Sequence, residues 1–112
     1  MCSRSQLDEI MEKVVAFSKK TFEKDFNGVV LYGSYARGDY DEESDIDIMI
    51  MVDMDRTQAV NYRKIVSEFC TNIDIDYGVL LAPKVQSKPF FDEWKTIIPF
   101  YKNVEKDGIM YA

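Results

Sequence analysis

Asp45 and Asp47 stand two residues apart at the head of an apolar run, Ile46 to Val52, downstream of a Gly33-Ser34 turn. In a strand, alternate residues share one face, so the two carboxylates would project together and Ile46, Ile48 and Ile50 would project the other way. Neighbouring carboxylates repel each other and need a compensating cation. Oxygen donors without thiolate or imidazole suit Mg²⁺ or Mn²⁺. Gly33 lets the backbone turn sharply and approach a ligand closely. If Ser34 opens a helical turn, its hydroxyl and the free N–H groups there can hold phosphate oxygens. Asp45 and Asp47 would clamp metal ions onto the same phosphates, and a third carboxylate on a neighbouring strand would complete a two-metal site. Asp74 and Asp76 are the candidates for that third acid. Arg37 can neutralise phosphate charge or pair with a local acid.

The elements that must position these groups follow from periodicity. Leu7, Ile10, Met11, Val14 and Phe17 recur at helical spacing, and Ser5 with Asp8 resembles a capping box, so a helix is expected to about Phe22. Asn27-Gly28 reads as a turn, and Val29 to Tyr32 as a short buried strand ending at Gly33. A short helix is expected at Ser34–Arg37, then a strand from Asp45 to Val52. Asp53 or Asp55 caps a helix striped by Tyr62, Ile65, Val66, Phe69 and Cys70. Residues Asn72 to Leu81 alternate apolar and polar and are expected to form a third strand, ended by Pro83, with Asp74 and Asp76 on its polar face. Phe90, Phe91, Trp94, Ile97 and Ile98 mark an amphipathic helix, Pro99 can start a new turn, and the tail Asp107 to Tyr111 ends in a short strand. Met49 and Met51 share the face of the carboxylates, either beneath another element or lining an acceptor surface. The expected architecture is a small α/β (α+β) layer fold, one domain over residues 1–112.

Composition narrows the chemistry. The chain has 112 residues, 46 % hydrophobic and 30 % charged, which suits a globular domain with one core. It has no histidine, which removes Ser-His-Asp triads, histidine bases and ordinary zinc sites. Cys2 and Cys70 lie far apart and form no metal-ligand spacing. A net charge of −6 disfavours nonspecific binding to nucleic acid. Lys19, Lys20 and Lys24 read as a solvated helix face. No apolar run approaches the roughly 20 residues of a membrane span, and the first residues lack the apolar core of a signal peptide, so a cytoplasmic location is expected.

The stretch from Leu31 through Gly33, Ser34, Arg37 and Gly38 to Ser44-Asp45-Ile46-Asp47 resembles the minimal nucleotidyltransferase branch of the DNA polymerase β-like superfamily. That resemblance implies a small mixed sheet with helices packed on one face. It also implies ATP or another nucleoside triphosphate as donor, Mg²⁺ or Mn²⁺ as cofactor, and transfer of a nucleoside monophosphate to a hydroxyl with release of pyrophosphate. Gly33 and Ser34 would hold the triphosphate. Asp45 and Asp47 would bind metal, and the third acid falls at Asp76, with Asp74 matching nearly as well. Small members of the family include antitoxins paired with a HEPN-domain ribonuclease, and some of them adenylylate the toxin. With no recognisable second domain, the acceptor is expected on a partner protein. The alternatives are a non-catalytic nucleotide-binding antitoxin, and a homodimer acting on a small molecule such as an aminoglycoside.

Overall fold

Residues 2–112 are described in a computed structural model. The chain opens with α1 (Arg4–Phe22), capped by Ser3, whose hydroxyl accepts from the Gln6 N–H while the Gln6 side chain accepts from the Ser3 N–H. The capping box therefore sits two residues ahead of the Ser5–Asp8 pair that the spacing suggests. A 3₁₀ turn (Glu23–Asp25) leads into β1 (Phe26–Tyr32), longer than the expected strand. Asn27-Gly28 is no turn: it belongs to β1, where the register with the next strand slips between Phe26 and Gly28. Gly28, at φ +129°, packs against the carbonyl oxygen of Ala112 and takes up the slip.

After Gly33 comes α2 (Ser34–Arg37), then β2 (Ile46–Val52). Asp55 caps α3 (Arg56–Ala59) through the Gln58 N–H; a 3₁₀ turn then leads to α4 (Arg63–Tyr77). The chain closes with β3 (Leu81–Ser87), α5 (Lys88–Trp94), α6 (Pro99–Asp107) and β4 (Ile109–Met110). Pro99 starts α6 at a position where no intrahelical N–H is needed.

The four strands lie in the order β3-β2-β1-β4. β1 pairs antiparallel with β2 and β4, and β2 pairs parallel with β3, so this is a mixed α/β sheet. On one face α1 and α4 cover Val29, Leu31, Ile46, Ile48, Ile50 and Val52, and Phe17 of α1 stacks on Phe69 of α4 at 4.0 Å between ring centroids. Each fully buried Ile or Val there contributes about 1.5–3 kcal/mol relative to exposure. The opposite face carries a smaller cluster in which Phe91 of α5 and Tyr101 and Val104 of α6 cover Val30, Tyr32, Met49 and Met51. The two methionines on the carboxylate face are thus core. This second cluster also brings α6 across the end of the sheet where Gly33 lies.

One expected element is wrong. Asn72 to Tyr77 is the last part of α4, not a strand. The alternation that suggested a strand is real, but Val66, Phe69, Cys70, Ile73 and Tyr77 also recur at helical intervals, and that period wins because Val66, Cys70 and Ile73 are buried against the sheet. Ile75, which an inward-facing strand position would bury, is 74 % exposed. Gly78 ends the helix at φ +66°. The third strand begins only at Leu81 and contains Pro83 rather than stopping before it. β3 is an edge strand, where a missing N–H is tolerated.

Candidate nucleotide site

The site is built where β1 ends. Gly33 adopts φ +74°, a conformation that L residues rarely hold. A side chain there would also run into Asp47: an added Cβ would land on its Oδ2. The absent side chain at Gly33 and the carboxylate of Asp47 are therefore two halves of one fit, and strand pairing produces it, because Tyr32 lies opposite Asp47 in the β1–β2 register. The Gly33 carbonyl accepts from the Ala36 and Arg37 N–H groups, each at 3.1 Å. The N–H groups of Ser34 and Tyr35, at the first two positions of α2, lie outside that ladder and remain available to an incoming acceptor.

Asp47 is half-buried and Asp45 is exposed. Burial, and then the neighbouring Asp45, push the Asp47 carboxyl above its ordinary value, while Arg37 and Lys84 pull it down. A half-buried acid whose ionisation a neighbouring carboxylate disfavours, flanked by two cations, describes a place that gains from added positive charge. Beside them Tyr32 is pushed up to about 12, first by burial and then by Asp47, so its hydroxyl stays protonated. Arg37 reaches Asp39 through its Nε at 3.2 Å, so its guanidinium is held at the rim by a local acid.

Tyr32, Gly33, Ser34, Arg37 and Asp47 form one side of a cavity of about 350 Å³. Its far wall is α6, through Phe100, Asn103, Val104 and Asp107. The volume lies within the range of small-ligand clefts. Phe100 packs edge-on against Tyr32 at 5.5 Å, and both rings line the cavity. The α6 wall is absent from the sequence expectation. Its signal was present, since Phe100, Asn103, Val104 and Asp107 follow the i, i+3, i+4, i+7 rule behind Pro99, but the neighbouring Phe91–Trp94 stripe was the stronger apolar pattern.

The third acid does not sit where it was expected. Asp76 is exposed on α4, and Asp74 is on the same helix, where its Oδ1 accepts the Leu81 N–H at 2.8 Å. Neither lies on a strand beside β2, because residues 72–77 are helical. Strand β3 itself has no acidic residue. Among the described residues, no three acids, cysteines or histidines come together as a ready metal cluster. The structure gathers Gly33, Ser34, Arg37 and Asp47 into one cavity, with Asp45 next to Asp47, and leaves Asp76 outside it.

The family model described as a nucleotidyltransferase domain matches residues 11–108, nearly the whole chain. Two curated proteins of Methanocaldococcus jannaschii, each named “Putative protein adenylyltransferase”, are similar. The first is 34 % identical, over 90 % of this chain and 93 % of its own length. The second is 37 % identical, over 76 % of this chain and 91 % of its own length. A crystal structure titled as a “putative nucleotidyltransferase” from Sulfolobus solfataricus has the same fold, with a TM-score of 0.63 and 21 % identity, over 93 % of this chain and 78 % of that one.

Proposed function

Because the chain belongs to the nucleotidyltransferase domain family, we propose that it transfers AMP from ATP to a hydroxyl on a partner protein. The observation that carries this reading is the fit of Asp47 against Gly33, which brings the phosphate turn and one acid of the pair into a single cavity, with Asp45 beside it. The names of these relatives favour AMP as the transferred group and a protein as the acceptor.

The donor set suits a divalent metal. Asp45 and Asp47 offer hard oxygen ligands, and their mutual repulsion, offset in part by Arg37 and Lys84, would be relieved by Mg²⁺ or Mn²⁺. When bound, such an ion would neutralise the phosphates and polarise the reacting phosphorus centre. The chain's own groups supply the rest. Gly33 clears room for the triphosphate, the Ser34 and Tyr35 N–H groups and the Ser34 hydroxyl hold its oxygens, and Arg37 balances its charge. The acceptor oxygen bonds to the α-phosphorus as the bond to the bridging oxygen breaks, and pyrophosphate leaves. With no histidine in the chain, the hydroxyl proton goes to a carboxylate or to water.

A small helical ribonuclease of the HEPN class is the acceptor that the family resemblance favours, which would make the chain the antitoxin of a pair. The test uses ATP labelled at the α- or the γ-phosphate, incubated with the protein, Mg²⁺ and lysate of its host. Transfer of α-label but not γ-label to a discrete protein band, lost in the Asp45→Asn/Asp47→Asn variant, is expected. Label from the γ-position, or transfer indifferent to that variant, would contradict the reading. Label appearing only on a small molecule would replace the protein acceptor with a small one.

A further inference from the structure

Lys84 stands on β3, the strand that pairs with β2, whereas the third acid was expected on residues 72–81, of which 72–77 are helical. β2 and β3 run parallel, with Asp47 opposite Ala82 and Met49 opposite Lys84. Alternate residues share a face, so Ala82, Lys84 and Gln86 look to the same side of the sheet as Asp47 and Met49. Its Nζ lies 5.7 Å from the centroid of Phe100, the aromatic that walls the cavity. Among the described residues Lys84 makes no ion pair, although Lys88 and Lys95 nearby in sequence both do.

A carboxylate at this place would attract a second divalent ion. An ammonium does the reverse: it repels a dication and attracts phosphate. Its flexible stem lets it follow the phosphate oxygens, while the Phe100 ring offers a resting place for the charge when no ligand is bound. Arg37 lines the cavity and Lys84 stands beside its Phe100 wall, so positive charge comes to the site from two elements.

We propose that this site takes one divalent ion with its nucleotide rather than two, and that Lys84 supplies the second positive charge to the phosphates. This rests on the nucleotide reading of the site given above.

The test counts Mn²⁺ by the loss of its free paramagnetic resonance signal, in the presence of an ATP analogue whose α,β-bridge is methylene. One Mn²⁺ per bound analogue is expected for wild type. Lys84→Asp should admit a second Mn²⁺, and Lys84→Gln should keep one while weakening the analogue roughly tenfold, the usual scale of a lost charged hydrogen bond. Lys84 is exposed, so both variants should fold, and their melting temperatures without ligand serve as the check. Two Mn²⁺ per analogue on wild type would overturn the inference and leave the nucleotide reading standing. So would unchanged analogue affinity in Lys84→Gln. Failure of the analogue to bind wild type at all would overturn the nucleotide reading, and this inference with it.

Discussion

A methyl group at position 33 would collide with the Asp47 carboxylate, and it would force an L residue to φ +74°. Gly33→Ala should therefore cost stability in the range of about 1–3 kcal/mol and abolish nucleotide binding, as read by urea unfolding and by calorimetry. Asp47 behaves oppositely. Its carboxyl is held above its ordinary value by burial and by Asp45, so ionising it costs the folded chain more than the unfolded one. That penalty is absent at pH values below the unfolded value, grows as pH rises toward the raised folded value, and is complete above it. Without metal, Asp47→Asn should be the more stable protein at neutral pH, with the advantage vanishing on acidification into the ordinary carboxylate range. Urea melts of both proteins across that range measure the difference. A variant less stable than wild type at neutral pH would mean that Asp47 holds the fold together rather than waiting for a cation.

At the scale of elements, α4 decides where the acids go. Asp74 bonds from its last turns to the Leu81 N–H, fixing the point at which β3 begins. Its backbone carbonyl also accepts from Gly78 at 2.9 Å. Asp74→Ala should cost about 1–2 kcal/mol in urea unfolding and spare nucleotide affinity, whereas Asp76→Asn should leave both near wild type. Loss of nucleotide binding in Asp76→Asn would return that residue to the site. The two strands β1 and β2 were legible from the sequence because their apolar runs are too short for helices and are bounded by Gly33 and by polar loops. The span 72–81 was misread because Ile73, Ile75, Tyr77 and Val79 satisfy a period of two locally, and only burial, set by packing on the sheet, separates that from a helix. Pro83 reinforced the error, since a proline ends a central strand but is tolerated on an edge.

Over the whole molecule, the sheet has a core on each face, and the second one matters for the site. α5 and α6 cover Met49 and Met51, and in doing so α6 brings Phe100, Asn103 and Asp107 to face Gly33 and Asp47. That wall depends on the three-dimensional path of the last third of the chain, which no short motif encodes. The Gly-Ser turn and the acid pair, by contrast, lie within Gly33–Asp47 and were readable together. The tail is tied back where the Tyr111 hydroxyl donates to Asp8 Oδ1 at 3.2 Å and the Tyr111 N–H donates to the Val29 carbonyl. Tyr111→Phe keeps the second bond, so it should lose no more than about 1 kcal/mol in urea unfolding and leave nucleotide affinity unchanged. No helix among the described residues is long and apolar enough to cross a membrane.

The central claim is that the Gly33–Ser34 turn and the Asp45–Asp47 pair act as one site for a metal and a nucleoside triphosphate. Thermal melting with Mg²⁺, with ATP and with both tests it most directly. A ligand at a hundred times its Kd stabilises by about 2.7 kcal/mol, which for a chain of this size raises the melting temperature on the order of 10 °C. Wild type should show such a rise with Mg²⁺ and ATP together, well beyond the sum of the two alone, and Asp45→Asn/Asp47→Asn should lose that excess. Equal shifts in the two proteins would contradict the account.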